Sequence, residues 1–233
     1  MTRFIAHRGL SSVYYQNSEK AFAAAANSPF FYGIETDVWF TKDNRWVCCH
    51  DNNPFADKSV SISEITYAEA LKLPMNLNKM GSAKIEGESY ICSMDRYLEI
   101  CRDGGKVPVI ELKCKPKKEQ LKELVSTVDS VVGLDNAIFI SFHFVNLARL
   151  RAMNPRIRMQ VLGKYPTSGR AYLKKGYDVD LMFTYCSFPL IRKAHRLGHE
   201  VNLWTINRVG IARHFMRYGV DYITTNFDFS GKI

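Results

Sequence analysis

The amino-acid sequence predicts an α/β chain folded as a closed (β/α)₈ barrel, and three observations carry that expectation. Eight short apolar, β-branched runs recur along the 233 residues, helical patterns separate most of them, and glycines close several of those helices. Strands alternating with helices pair in parallel through crossover connections, and eight such units close a sheet on itself.

The first strand is RFIA (3 to 6), followed by helical SEKAFAAAAN (18 to 27) and a second strand, GIETDV (33 to 38). VPVIEL (107 to 112) leads into KKEQLKELVSTV (117 to 128), and NAIFIS (136 to 141) into FVNLARLRAM (144 to 153). IRMQV (157 to 161) and DLMF (180 to 183) come next, with FPLIRKAHRLG (188 to 198) after the latter. VNLWT (201 to 205), RVGIARHFMRYG (208 to 219) and DYITT (221 to 225) complete the series.

One run, RWVCCHD (45 to 51), falls outside this count. It reads as the return arm of a hairpin around a two-residue turn at Asp43-Asn44, which pairs Lys42 with Arg45 and sets Asp37 opposite His50. Directly opposed side chains share a face, and Glu35 lies on that face two residues along, so this register gathers two acids and a histidine. Residues from about 52 to 105 carry helical signals, ISEITYAEALKL (62 to 73) and SMDRYLEICRDGG (93 to 105), but no clear barrel strand. They read as a small insertion on the catalytic rim of one domain spanning 1–233.

Composition narrows the function. A 46% hydrophobic content can bury a sizeable core. No stretch approaches the roughly 20 apolar residues of a membrane span, and MTRFIAHRG lacks the long apolar core of a secretion signal, so a cytoplasmic protein without a transmembrane segment is expected. The six cysteines form no CxxC pair and read as reduced structural thiols. A formal charge of +9 suits an anionic partner, either a small phosphate compound or an acidic membrane surface touched transiently. The densest basic run, KCKPKKEQLK (113 to 122), reads as a solvated helix start; without an aromatic-interleaved basic stripe or a recognised module, nucleic acid is not expected.

Barrel active sites form at the C-terminal ends of the strands. Those ends read AHRG, IETDV and IELK, which places His7, Arg8, Glu35, Asp37, Glu111 and Lys113 on one rim. Three carboxylates there repel one another unless a hard divalent cation with oxygen ligands joins them. The three acids, a dication, Arg8 and Lys113 together leave one positive charge, which matches a phosphodiester anion. His7 and His50 can then divide the proton work, one accepting from an attacking hydroxyl and the other donating to the leaving oxygen. Asp51 reads as a turn or supporting residue.

AHRG, NS-EKAF, GIETDVWFTKD, HD, VIELK, SFHFVNLARLRAMNP, VNLWTIN and GVDYITTN, in that order from near residue 4 to near 228, resemble the glycerophosphodiester phosphodiesterase family. The resemblance implies a barrel of the phosphatidylinositol-phosphodiesterase type. It implies one divalent cation, calcium or magnesium, on Glu35, Asp37 and Glu111, acid and base work by His7 and His50, and phosphate contacts from Arg8 and Lys113. Trp204 matches the family's aromatic near the pocket and reads equally as a barrel-core aromatic; Phe142 and Phe55 are further candidates for an apolar wall. The implied enzyme is a phosphoric diester hydrolase of lipid and glycerol metabolism, cleaving small glycerophosphodiesters to an alcohol and glycerol 3-phosphate, with the neighbouring glycerol hydroxyl as a candidate first attacker. The sequence departs from the family at Tyr15-Gln16-Asn17-Ser18, where proline-glutamate-asparagine-threonine is usual: the helix cap survives through Asn17 or Ser18, but Gln16 removes a carboxylate. The closest rival is a cyclising lyase of the sphingomyelinase-D type acting on lysophospholipids, against which Glu111 and the long insertion count. A second is a phosphodiester-binding protein without turnover, against which the retained histidines and acids count.

Overall fold

In the computed structural model, which describes residues 1–77, 89–165 and 167–233, eight parallel strands close on themselves. In chain order the strands are β1 (Arg3–Ala6), β2 (Phe31–Phe40), β3 (Trp46–Cys48), β4 (Cys92–Ser93), β5 (Val107–Leu112), β6 (Ile138–Ser141), β7 (Arg158–Gly163), β8 (Asp178–Met182), β9 (Val201–Trp204) and β10 (Tyr222–Thr225). All but β3 and β4 form the barrel, which β1 closes by pairing in parallel with both β10 and β2. The predicted (β/α)₈ architecture is the observed one.

The helices are α1 (Glu19–Asn27), α2 (Tyr67–Ala70), α3 (Met94–Asp103), α4 (Lys118–Val132), α5 (Phe144–Met153), α6 (Ser168–Leu173), α7 (Phe188–Arg196) and α8 (Val209–Arg217). Helix α1 starts where the Ser18 side chain accepts the Ala21 N–H at 3.2 Å, satisfying a donor that the first turn leaves open. Strand side chains alternate between two cores. Ile34, Val38, Ile110 and Leu112 face the helices, whereas Ile5, Val109, Ile140 and Leu162 fill the barrel's interior.

Two sequence expectations change at the rim. SMDRYLEICRDGG forms α3, which lies in the outer layer against α1 and α4 rather than on the rim. Its Tyr97 is fully buried, donates its hydroxyl to the Ile34 carbonyl at 2.6 Å and accepts the Val109 N–H at 3.1 Å, pinning the helix across β2 and β5. ISEITYAEALKL makes only a 3₁₀ turn, Ile62–Glu64, and the four-residue α2, because Thr66 caps a new helix midway and Pro74 limits its continuation.

The hairpin register is also one residue off the predicted one. Strand β2 pairs with β3 through Val38↔Cys48, Trp39↔Val47 and Phe40↔Trp46, so the loop holds three residues, Lys42, Asp43 and Asn44. Thr41 closes it by donating its N–H to the Arg45 carbonyl at 2.9 Å, and Asn44 takes the left-handed conformation, φ 63°, that such a loop requires. Asp37 therefore faces Cys49, whose N–H it accepts through its carbonyl at 3.0 Å, and not His50. The chain leaves the ladder after Cys48, and His50 approaches the rim from a loop.

That loop stands on a small separate core of Tyr15, Val47, Cys49, Phe55, Ile62, Met75 and Ile91. Phe55, 1% exposed, belongs to this core and does not line the barrel's mouth, contrary to the apolar-wall expectation. All six cysteines are free. Among the described residues no helix is long and apolar enough to cross a membrane.

Gly9 has φ +77°, and a Cβ there would lie 2.6 Å from the Ala21 carbonyl carbon. Gly9→Ala is expected to lower stability by about 3 kcal/mol in chemical denaturation, because both the backbone conformation and the approach of α1 are violated; an unchanged midpoint contradicts this account.

Candidate active site

Strand β1 hands over to the site in two residues. The His7 N–H donates to the Thr225 carbonyl at 2.8 Å, holding the chain against β10, and Arg8 then turns into the left-handed region, φ 58°. That turn lets the Arg8 N–H donate to Glu35 Oε2 at 2.9 Å while its side chain crosses to Asp37, Nε lying 3.0 Å from Oδ2. The outer end of the guanidinium donates to Gln16 Oε1 at 2.7 Å, so the carboxamide positions Arg8 where the family's usual acid is missing. Asn17, also left-handed at φ 54°, donates from Nδ2 to Asp37 Oδ2 at 2.9 Å and accepts the Thr36 hydroxyl at 2.9 Å. Two of the three left-handed non-glycine residues in the described chain thus border one carboxylate, and such backbone strain is kept where a site depends on it.

Asp37 on β2 is in register with Glu111 on β5, and Glu35 lies two residues back along the same face. One oxygen from each of Glu35, Asp37 and Glu111 lies within 4.8 Å of the others, and all three residues are buried. Lys113 Nζ stands 3.0 Å from Glu111 Oε1 and 3.5 Å from Asp37 Oδ1. Burial disfavours the charge on Asp37, but Arg8, Lys113, His50 and the Asn17 hydrogen bond outweigh it and hold this carboxyl well below its ordinary range. Glu35 and Glu111 move the other way: burial and then the charge of Asp37 raise both, Glu111 to about 7. Asp37 Oδ1 is buried without a hydrogen bond. Three converging oxygens, one lacking a donor and two held by neighbours in a partly protonated state, fit a hard divalent cation of the calcium or magnesium kind.

Two imidazoles line the same cavity as this cluster. His7 Nδ1 lies 2.7 Å from Asn226 Oδ1, an acceptor, which places the ring proton on Nδ1 and leaves the Nε2 lone pair free. His50 Nδ1 lies 2.8 Å from Asp51 Oδ1, and the Trp39 indole N–H fixes the His50 carbonyl at 3.1 Å. Burial, reinforced by Arg8, lowers the His7 pKa to about 3, and burial with Arg8 and Lys113 lowers that of His50. His7 is therefore neutral at physiological pH, whereas Asp37 and Asp51 act against the burial of His50.

These residues open into a cavity of about 310 Å³. His7, Arg8, Glu35, His50, Glu111 and Lys113 line it together with Ile140, Phe142, Leu162 and Trp204, while Asp37 is wholly buried behind them. Phe142 meets Trp204 edge to face at 5.9 Å, so Trp204 is a cavity-lining aromatic at the barrel's mouth. Sequence reasoning missed Asn226, visible only as the last residue of ITTN, the Asn17 contact to Asp37, and Asp180, which lines the same cavity from β8.

The family model described as "Glycerophosphoryl diester phosphodiesterase family" matches residues 7–228. The chain belongs to that family. It is 27% identical to a glycerophosphodiester phosphodiesterase of Bacillus altitudinis over 245 residues, covering 97% of this chain and 95% of that one. A solved glycerophosphodiester phosphodiesterase from Parabacteroides distasonis superposes with a TM-score of 0.78 at 25% identity, covering 97% and 92% of the two chains. An Oleispira antarctica phosphodiesterase, solved with its product sn-glycerol-3-phosphate, shares the fold at a TM-score of 0.77 and 19% identity, covering 97% and 93%. Its family makes the protein a phosphoric diester hydrolase acting on glycerophosphodiesters.

Because burial and the charge of Asp37 raise both Glu35 and Glu111, a cation must displace protons there, and divalent-cation affinity is expected to rise with pH through about 7, the value to which Glu111 is pushed. Calorimetric titrations should show roughly a tenfold gain per pH unit for each proton released. An affinity independent of pH contradicts the assignment.

Proposed function

We propose that this phosphodiesterase is cation-dependent and cleaves the phosphate ester by two-histidine acid–base catalysis. The observation that carries the reading is a pair of imidazoles lining the same cavity as the Glu35, Asp37 and Glu111 cluster, each with Nδ1 engaged by an oxygen.

Arg8 and Lys113 bring positive charge to the cavity and receive the non-bridging oxygens of the phosphate. Arg8 is preorganised by Asp37 and Gln16, so little reorientation is needed when the anion arrives. His7, neutral and with Nε2 free, takes the proton of the attacking hydroxyl: water gives glycerol 3-phosphate directly, whereas the neighbouring glycerol hydroxyl expels the alcohol and leaves a cyclic phosphate that water then opens to glycerol 3-phosphate. Asp37 lies close enough to favour the imidazolium that forms. His50 gives a proton to the leaving oxygen as the imidazolium, the form that the charges of Asp37 and Asp51 favour, with Nδ1–H held by Asp51 and Nε2–H donated. A bound dication supplies Lewis-acid polarisation of the phosphoryl group and neutralises developing charge. Ile140, Phe142, Leu162 and Trp204 supply an apolar wall to the same cavity. The Oleispira relative's complex with sn-glycerol-3-phosphate supports glycerol 3-phosphate as the product here.

With glycerophosphocholine or glycerophosphoethanolamine as substrate, His7→Ala and His50→Ala are each expected to lower kcat by roughly 10² to 10⁴. EDTA should abolish turnover, and calcium or magnesium should restore it. Full activity in His50→Ala or Glu35→Ala refutes the mechanism.

A further inference from the structure

Strand β8 carries a carboxylate that the mechanism above does not use. Asp180 is 2% exposed, yet it lines the catalytic cavity, and its Oδ1 is buried without a hydrogen-bond partner among the described residues. It lies outside the cation-ligand cluster, and no described lysine or arginine comes within ion-pair distance of it. Burial, with the charge of Glu111, pushes the Asp180 pKa well above the ordinary carboxylate range, and a carboxyl group kept without a partner costs stability, since burial forfeits hydration that nothing replaces.

Its surroundings narrow what could satisfy it. The neighbouring indole N–H of Trp204 is committed to the Asp180 backbone carbonyl at 3.3 Å. Thr224, which also lines the cavity, spends its hydroxyl proton on Asn202 Oδ1 at 3.2 Å and so offers lone pairs. Ile140 and Leu162 supply no polar atoms. This wall therefore presents acceptors in need of a ligand's donors. A vicinal pair of hydroxyls is such a donor, small enough to reach a residue this deep, and a carboxylate can accept from both.

We propose that Asp180 is a specificity-determining residue that accepts hydrogen bonds from the glycerol hydroxyls of the substrate, while the variable alcohol points toward the opening. The inference rests on the glycerophosphodiesterase reading and deepens it. It also explains why an orphaned carboxylate is kept: the polar group unsatisfied in the free enzyme is satisfied in the complex, and an analogue lacking the hydroxyls leaves it unpaired.

The test compares wild type with Asp180→Asn and Asp180→Leu. KM and kcat are measured for glycerophosphocholine, glycerophosphoethanolamine and glycerophosphoglycerol, and binding of glycerol 3-phosphate and ethyl phosphate is read from thermal shifts. Asp180→Leu should raise KM about tenfold to a hundredfold, by the same factor for all three diesters. It should weaken glycerol 3-phosphate similarly and leave ethyl phosphate within twofold. Both variants should melt at or above the wild-type temperature when ligand-free, which a structural role would not produce. A loss that differs between head groups, or that is equal for glycerol 3-phosphate and ethyl phosphate, overturns the proposal, as does a fall in melting temperature in both variants. If wild type fails to turn over any diester, the hydrolytic reading fails alone; the comparison of glycerol 3-phosphate with ethyl phosphate still decides the role of Asp180.

Discussion

Three buried carboxylates whose oxygens lie within 4.8 Å of one another set the terms for everything around them. At an effective dielectric constant near 20, two full charges at that separation repel by about 3 kcal/mol, and each pair in the cluster adds its share. Left-handed backbone at a non-glycine residue costs about 1 to 3 kcal/mol. The repulsion is therefore large enough to sustain strain at Arg8 and Asn17, because those two conformations deliver a guanidinium, an N–H and a carboxamide to Asp37 and Glu35. Gly9 follows from the same constraint: once Arg8 is turned inward, the next residue must pass Ala21 too closely for any side chain.

The residues of the proposed mechanism rest on supports of two kinds. His7, Glu35 and Glu111 sit on or directly after barrel strands, where parallel pairing fixes the backbone. His50 follows the short β3 and depends instead on the rim core of Val47, Cys49, Phe55 and Met75 beneath it, on the Trp39 hydrogen bond to its carbonyl, and on Asp51. A loop can hold a reacting group in place only if its own apolar residues find partners. That requirement explains why the segment after β3 carries Phe55, Ile62 and Met75 at buried positions although it adds no barrel strand.

The regular part of the fold was legible because strand and helix periods differ sharply. β1 and β5 match the sequence reading to the residue, since RFIA and VPVIEL are bounded by residues that cannot extend an apolar strand. The gathering of the site's residues was legible because His7, Glu35, Asp37 and Glu111 stand on or just after barrel strands, where burial makes polar groups conspicuous. The hairpin register was not, because it turns on Asn44 adopting positive φ, and asparagine without glycine supports a two-residue or a three-residue loop equally. Nor was the place of α3 in the barrel: the strand before it, β4, has only two residues, too few for any alternation to show. Asn226 and Asp180 were missed because each acquires its role from a neighbour distant in sequence, His7 in one case and the cavity wall in the other.

The cavity divides by strand. β1, β2 and β5, adjacent in the barrel, bring Arg8, the three clustered acids and Lys113, whereas β6, β7 and β9 bring Ile140, Phe142, Leu162 and Trp204, with Asp180 of β8 and Lys164 as the charged residues of that far wall. Adjacent strands lie about 5 Å apart, close enough for Asp37 to meet Arg8 and Lys113, Glu111 to meet Lys113, and Glu35 to meet the Arg8 N–H directly rather than through solvent. The facing apolar wall keeps the local dielectric low, so the same few charges act more strongly on a bound phosphate than they would at an open surface. Scattering those residues around all eight strands would preserve their number and lose both effects. Their confinement to one side of the barrel is thus what turns an expensive cluster of buried charge into a preorganised site.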